Sequence, residues 1–390
     1  MARRWWIVHR RTVLPLAIVL LSMLALLKLG IELHRLVADS GFLGAIDLRL
    51  RHNEVGRWFA GRPLYTELSR LTYPPQAYVM LWPFTGWLDL ASARWLWALT
   101  SLAAIVWLCA VVVRESGTSD PLDRSLAVAM VVSMNAVGVT LGNGQLIVHL
   151  LPALLVALLL LRRPRGSWYD DAAVAILLQF ALIKPTLSVP FAWVALVTTR
   201  RVRPLAFTAA GYLLLTLLAA SFQAENAGSL LVQWFGQRGP DLRHGFGDVH
   251  SGLFAIGLGS WAFPASLLML AALGMWTWRH RQADPWVLMG VAAIVARTWT
   301  YHRIYDDVLT LVPMVALFRM ASGRVPGSDD LKAGVLLALT IAVMSVPARF
   351  LGGVDHWLFV STHVAVWLAL LLFLARAPGR RAAEREVLDS

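Results

Sequence analysis

Apolar residues gather along this chain in twelve stretches, at about 13–31, 94–113, 125–141, 145–161, 171–183, 186–199, 204–222, 252–278, 285–299, 305–320, 332–348 and 357–375, with short polar links between them. Stretches of this kind, recurring over the whole length, predict a bundle of helices crossing a lipid bilayer. Two of them, 171–183 and 186–199, are each shorter than a normal span. They are expected to form a short hairpin that turns at "IKPT", Ile183 to Thr186. Pro185 has no N–H to donate and disfavours a helical Lys184, so the helix must break there. The segment Ala77 to Leu88 is brief, begins at "YPP" and contains Pro83. It is expected to lie as a half-helix near the outer interface without crossing.

Composition agrees with the pattern. The 390 residues are 58% hydrophobic and only 15% charged, with a mean hydropathy of +0.63. An ordinary soluble domain carries charge on about a quarter of its residues, so the chain reads as an all-α polytopic membrane protein in a single domain, 1–390. Cys109 is the only cysteine and falls mid-span, which excludes a disulfide framework and a thiolate metal site. "MARRWWIVHRR" followed by Thr12 to Gly30 looks like a secretory signal. Its apolar part is too long and lacks a small-residue cleavage site, so it is expected to stay as the first helix.

The formal charge of +12 sits mostly in arginine clusters between the apolar stretches. That placement suits membrane orientation and anionic headgroups, and no nucleic-acid module accompanies it. Lys and Arg in short loops stay cytoplasmic. The N-terminal Arg3, Arg4, Arg10 and Arg11, then "LRRPRG", "TRRVRP", "RHRQ" and "RAPGRR", all fall on one side if twelve spans are counted and 171–199 is a hairpin. Both termini are then cytoplasmic. The polar motifs "AIDLRLRHNE", "YPPQ", "LGNGQ", "IKPT", the 223–250 loop and "YHRIYDD" collect on the outer face, which predicts one outward-facing cavity.

The segment after the first span, about 32–93, holds the first candidate chemistry. If 47–59 is helical, Asp47, Arg51, Glu54 and Trp58 share a face at i, i+4, i+7 and i+11, with Leu48, Val55 and Phe59 beside them. An interfacial amphipathic helix with solvated charges would have the same pattern. Tyr73-Pro74-Pro75 holds the chain extended with an aromatic ring alongside, as suits a sugar. Gly142 and Gly144 of "GNGQ" allow a sharp turn with Gln145 at the top of a span. Lys184 crowns an apolar hairpin, where it either snorkels to headgroups or binds an anion. "ARTWTYHRIYDDVL" packs Arg297, His302, Arg303, Tyr305, Asp306 and Asp307 between two spans, with His302 fit for proton transfer or a phosphate. "RHGFGDVH" (His244, Asp248, His250) matches no ligand spacing and reads as a plain loop.

In this order, Asp47, "GRPLY", "YPP", "LWPF", "GNGQ", "KPT" and "H..YD" resemble the GT-C superfamily of integral-membrane glycosyltransferases. The likeness is to the polyprenol-phosphate-mannose-dependent α-mannosyltransferases, DUF2029-like, typified by those of actinobacterial phosphatidylinositol mannosides. The resemblance implies a GT-C fold of about twelve helices with a short helical first outer loop, in a bacterial plasma membrane. It implies an inverting enzyme that moves a sugar, expected to be mannose, from a polyprenyl-phosphate donor to a hydroxyl of a lipid or glycan acceptor. Asp47 would be the general base; His302, Lys184, Arg297, Arg303, Gln145 and Tyr73 would hold the donor phosphate or sugar, supported by Arg51, Glu54, Tyr305 and Asp306. Leu48 and Arg49 stand where a D-x-D pair would need its second acid, so no metal or other cofactor is expected. The alternatives are another lipid-linked sugar, such as arabinofuranose or glucose, or a lipid or glycan transporter. No internal repeat of the transporter kind is present.

Overall fold

The structure, a computed structural model, describes residues 2–68, 73–163, 166–199, 201–237, 246–347 and 356–377. These residues carry α-helices and short 3-10 turns and no strand. The first helix, α1 (Ala2–Val37), has 36 residues and therefore rises about 54 Å. That exceeds the bilayer core, so its polar end, 32–37, expected to belong to the loop, continues the helix instead. Then follow α2 (Ile46–Phe59), α3 (Leu64–Glu67), α4 (Pro75–Thr85), α5 (Leu90–Ser116), α6 (Pro121–Ser133), α7 (Asn135–Asn143) and α8 (Ile147–Leu161). The second half holds α9 (Trp168–Ala181), α10 (Pro185–Ser188), α11 (Phe191–Thr198), α12 (Arg203–Ala220), α13 (Ala227–Phe235) and α14 (Val249–Ala255). It ends in α15 (Ala262–Arg279), α16 (Pro285–Thr298), α17 (Leu311–Ala321), α18 (Asp330–Ser345) and α19 (His356–Ala375).

Among the described residues helices fall within the apolar stretches, several of them long enough to cross a bilayer, so the chain is a multi-pass helical membrane protein. Among the described residues five helical segments are each long and apolar enough to cross: Arg10–Val37, Leu90–Ser116, Arg203–Ala220, Gly259–Arg279 and Trp357–Ala375. The pair α6 and α7, bent 47° at a short break, makes a sixth if it is one span. Expected boundaries shift, and the stretch 186–199 is divided at Val189 and Pro190 into α10 and α11. The stretch 252–278 is not one helix, because Gly257 at φ 79 ends α14 before a 3-10 turn (Gly259–Trp261) leads into α15. The stretch 305–320 likewise opens with a 3-10 turn, Ile304–Thr310, before α17.

The core lies along α8, α16 and α17, which are buried nearly all round. The α1 helix packs against α6 and α7. Lys28 reaches across that contact and donates to the carbonyls of Ser133 and Ser345, which end α6 and α18. The break between α6 and α7 frees backbone acceptors, and the ammonium occupies one of them. α4 is an 11-residue helix with Pro83 near its end, packed on α12 and α2. The helix breaks at the expected place: α9 stops at Ala181, and Lys184, at φ −123 and ψ 82, precedes Pro185.

Candidate active site

The chain enters α2 through Ala45, which at φ 49 is left-handed, unlike every other described non-glycine residue. That turn sets Asp47 in the first turn of α2, with Arg51, Glu54 and Trp58 following on its face. The face is turned into the bundle: Glu54 is 4% exposed and Trp58 fully buried. Arg51 Nη2 meets Glu54 Oε1 at 2.7 Å, and its guanidinium lies 4.4 Å from the Tyr73 ring centre. Trp58 stacks on Tyr78 at 4.6 Å and donates to the Ala219 carbonyl at 3.0 Å. Such burial rules out a helix lying at the interface with solvated charges.

A second wall comes from the end of α7. Gly144 is left-handed, at φ 70, and a Cβ there would come within 2.5 Å of Leu48 Cβ. Only glycine allows both the turn and that approach. The turn brings the side-chain amides of Gln145 and Asn143 beside the Asp47 carboxylate. Asn143 was not singled out from the sequence, although it sits inside "GNGQ".

The third wall joins the hairpin break to the 304–310 turn. Lys184 Nζ lies 2.8 Å from Asp306 Oδ1, and His302 Nδ1 lies 3.2 Å from Asp306 Oδ2. The Arg303 backbone N–H donates to the same oxygen at 3.1 Å. Asp306 thereby binds the lysine and the histidine into one buried unit. The Tyr305 ring centre is 5.2 Å from Lys184 Nζ, and Thr140 donates to the Tyr305 carbonyl at 3.4 Å. Lys184 is also close enough to Asp47 to favour its charge, so residues 47, 145, 184 and 305 meet at one place. His302 joins them through Asp306.

Arg297 and Arg303 stand further back. The Arg297 guanidinium is paired with Asp307, donates to the Phe246 carbonyl at 2.8 Å and covers the Trp367 ring at 4.3 Å. Most of its charge is therefore met within the fold. Arg303 is half-buried, 5.4 Å from the Tyr301 ring centre and 5.8 Å from that of Phe246. In the "RHGFGDVH" loop, Asp248 caps α14 through Ser251 N–H and His250 bonds Ser266 at 2.7 Å, while His244 lies outside the described residues. Among the described residues no group of three or more His, Cys, Asp or Glu could hold a metal ion.

Burial pushes the Asp47 carboxyl above the ordinary carboxylate range, against the pull of Arg51, Gln145, Lys184 and Asn143. Its Oδ2 is buried without a hydrogen-bond partner. Glu54 is raised too, by burial first, with Arg51 opposing and Asp47 adding to the rise. Burial holds the His302 imidazole below its usual range, although Asp306 pulls the other way. With Nδ1 on Asp306, the buried Nε2 is the ring atom without a partner. The result is a carboxylate of raised proton affinity beside an arginine and a lysine, with the histidine joined to that lysine through Asp306.

A model of glycosyltransferase family 87 matches residues 71–300, well over half of the chain. The chain belongs to glycosyltransferase family 87. It is therefore a membrane glycosyltransferase, and the transporter alternative is set aside. The family 87 match takes in Tyr73, Gln145, Lys184 and Arg297, while Asp47, Arg51, Glu54, His302, Arg303, Tyr305 and Asp306 lie outside it. No curated protein and no solved structure matches the chain.

Proposed function

We propose that this family 87 enzyme transfers a sugar, mannose in the first instance, from a polyprenyl-phosphate donor to a hydroxyl of a lipid or glycan acceptor. The fold is read as GT-C with about twelve crossings, the site as extracytoplasmic and the membrane as a bacterial inner membrane. One observation carries the chemistry: Asp47, a carboxylate whose proton affinity is raised by burial, lies within reach of the Lys184 charge, and Lys184 is joined to His302 through Asp306.

Asp47 takes the proton of the acceptor hydroxyl as its oxygen attacks the anomeric carbon. The bond to the donor phosphate breaks, and the polyprenyl phosphate departs with the electron pair. A phosphate leaves as a stable anion, so no second carboxyl acid is needed, unlike in a glycosidase. Attack opposite the leaving group inverts the anomeric centre, giving an α product from a β donor. Lys184 and His302 stabilise charge growing on the leaving phosphate, with Arg303 and Arg297 behind them. His302 can donate through Nε2 only when protonated. A bound phosphate supplies the negative charge that favours protonation, with Asp306 backing the other nitrogen. Arg51, with Tyr73 stacked on it, and Gln145 border the sugar. Metal-independent chemistry is proposed because Leu48 and Arg49 stand where a D-x-D pair would need its second acid.

The test is to incubate purified protein with radiolabelled polyprenyl-phosphate mannose, arabinofuranose or glucose and a membrane lipid extract. Transfer from the mannose donor is expected, and the labelled product names the acceptor. Transfer from another lipid-linked sugar alone would reassign the donor, and transfer from none would overturn the proposal.

A further inference from the structure

The end of α1 presents a charged pair to the end of α7. Glu32 is 1% exposed, and its Oε2 lies 3.1 Å from Arg35 Nε. Arg35 in turn donates through Nη2 to the side-chain oxygen of Asn143. An amide whose oxygen is held by a guanidinium presents its NH2 on the opposite side, and here that side neighbours Asp47. The backbone fixes the amide as firmly. A Cβ on Gly142 would fall 1.9 Å from Glu32 Oε2, and the left-handed Gly144 is pressed against Leu48, the residue after Asp47.

We propose that Asn143 is a positioning residue for Asp47, its amide aimed by the Glu32–Arg35 pair so that an N–H donor is turned toward the carboxylate. The proposal rests on the reading of Asp47 as the base. The other groups facing Asp47 are Arg51 and Glu54 from α2, Gln145 from the turn after α7, Lys184 from the hairpin break, and Tyr73 and Tyr305. Asp306 stands behind Lys184.

The test needs no substrate. Infrared titration of the purified full-length protein in lipid nanodiscs reads the carbonyl band of protonated Asp47, assigned by its loss in Asp47→Asn. Asn143→Ala removes the donor and is expected to raise the proton affinity of Asp47 about tenfold, one pH unit. Arg35→Gln frees the amide to turn over and shifts the midpoint the same way, while Arg35→Lys keeps a cationic donor on the amide oxygen and holds the wild-type midpoint. The double variant Asn143→Ala/Arg35→Gln should shift no further than Asn143→Ala. Unchanged midpoints in Asn143→Ala and Arg35→Gln overturn the proposal. So does a full, additive shift from each, which would make Arg35 a simple distant charge. Should Asn143→Ala fail to fold, the contrast between Arg35→Gln and Arg35→Lys decides. Shifted midpoints in a protein that transfers no lipid-linked sugar would uphold the positioning and remove the proposed lipid-linked donor.

Discussion

Asp47 is costly to ionise where it stands, and that cost has a sign. A carboxyl whose pKa rises on folding binds protons more tightly in the native state, so it contributes stability at low pH that is lost as pH rises through the folded value. Burial raises Asp47, so at neutral pH the ionised group is a burden on the fold. Asp47→Asn should therefore unfold, in detergent, at a temperature equal to or slightly above that of the wild type. A clear drop in that temperature would show that the carboxylate holds the structure together. The same raised value governs catalysis. With saturating donor, the transfer rate should fall on the acid side through a midpoint above the ordinary carboxylate range, and a midpoint at or below about 4 would place the base elsewhere.

At the scale of elements, the site depends on two chain breaks. Gly144→Ala puts a Cβ on a left-handed residue and drives it into Leu48. A loss of about 1–3 kcal/mol in stability, with reduced transfer, is expected from denaturant unfolding and rate assays. Lys184→Met leaves the buried Asp306 without its lysine, and truncating one partner of such a pair costs about 3–5 kcal/mol. Adding Asp306→Asn should restore much of the stability and none of the activity. If activity returned as well, the lysine would serve only the fold.

Both breaks were legible in the sequence, because Pro185 and the paired glycines state local backbone requirements. So was the face carrying Asp47, Arg51, Glu54 and Trp58, because helical spacing alone sets it. Their long-range partners were not. Lys184 and Asp306 are 122 residues apart, and nothing local says that this lysine is paired rather than snorkelling. The Lys28, Glu32 and Arg35 face of α1 was overlooked although its i, i+4, i+7 spacing is visible. The apolar run was taken to end at Gly30 or Ile31, and the charges beyond it were assigned to a loop. Asp248 and His250 read as a plain loop, because a helix cap and a serine contact leave no mark on spacing.

At the scale of the molecule, a bundle in which Asp47, Gln145, Lys184 and Tyr305 gather at one place gives the site a side of the membrane to be tested. In a Cys109→Ala background, Phe42→Cys lies between α1 and α2 on an exposed residue, and Tyr169→Cys lies beside the "LRRPRG" cluster, also exposed. A membrane-impermeant maleimide should label the first in intact cells and the second only after permeabilisation; the reverse would put the site on the cytoplasmic face. What the whole arrangement stands on is proton removal by Asp47 during sugar transfer, and it is tested most directly by comparing purified wild type with Asp47→Asn. Given radiolabelled polyprenyl-phosphate mannose and an acceptor lipid extract, the wild type should move the label into product, and Asp47→Asn should do so about 10² to 10⁴ times more slowly. Transfer by Asp47→Asn at close to the wild-type rate would contradict it.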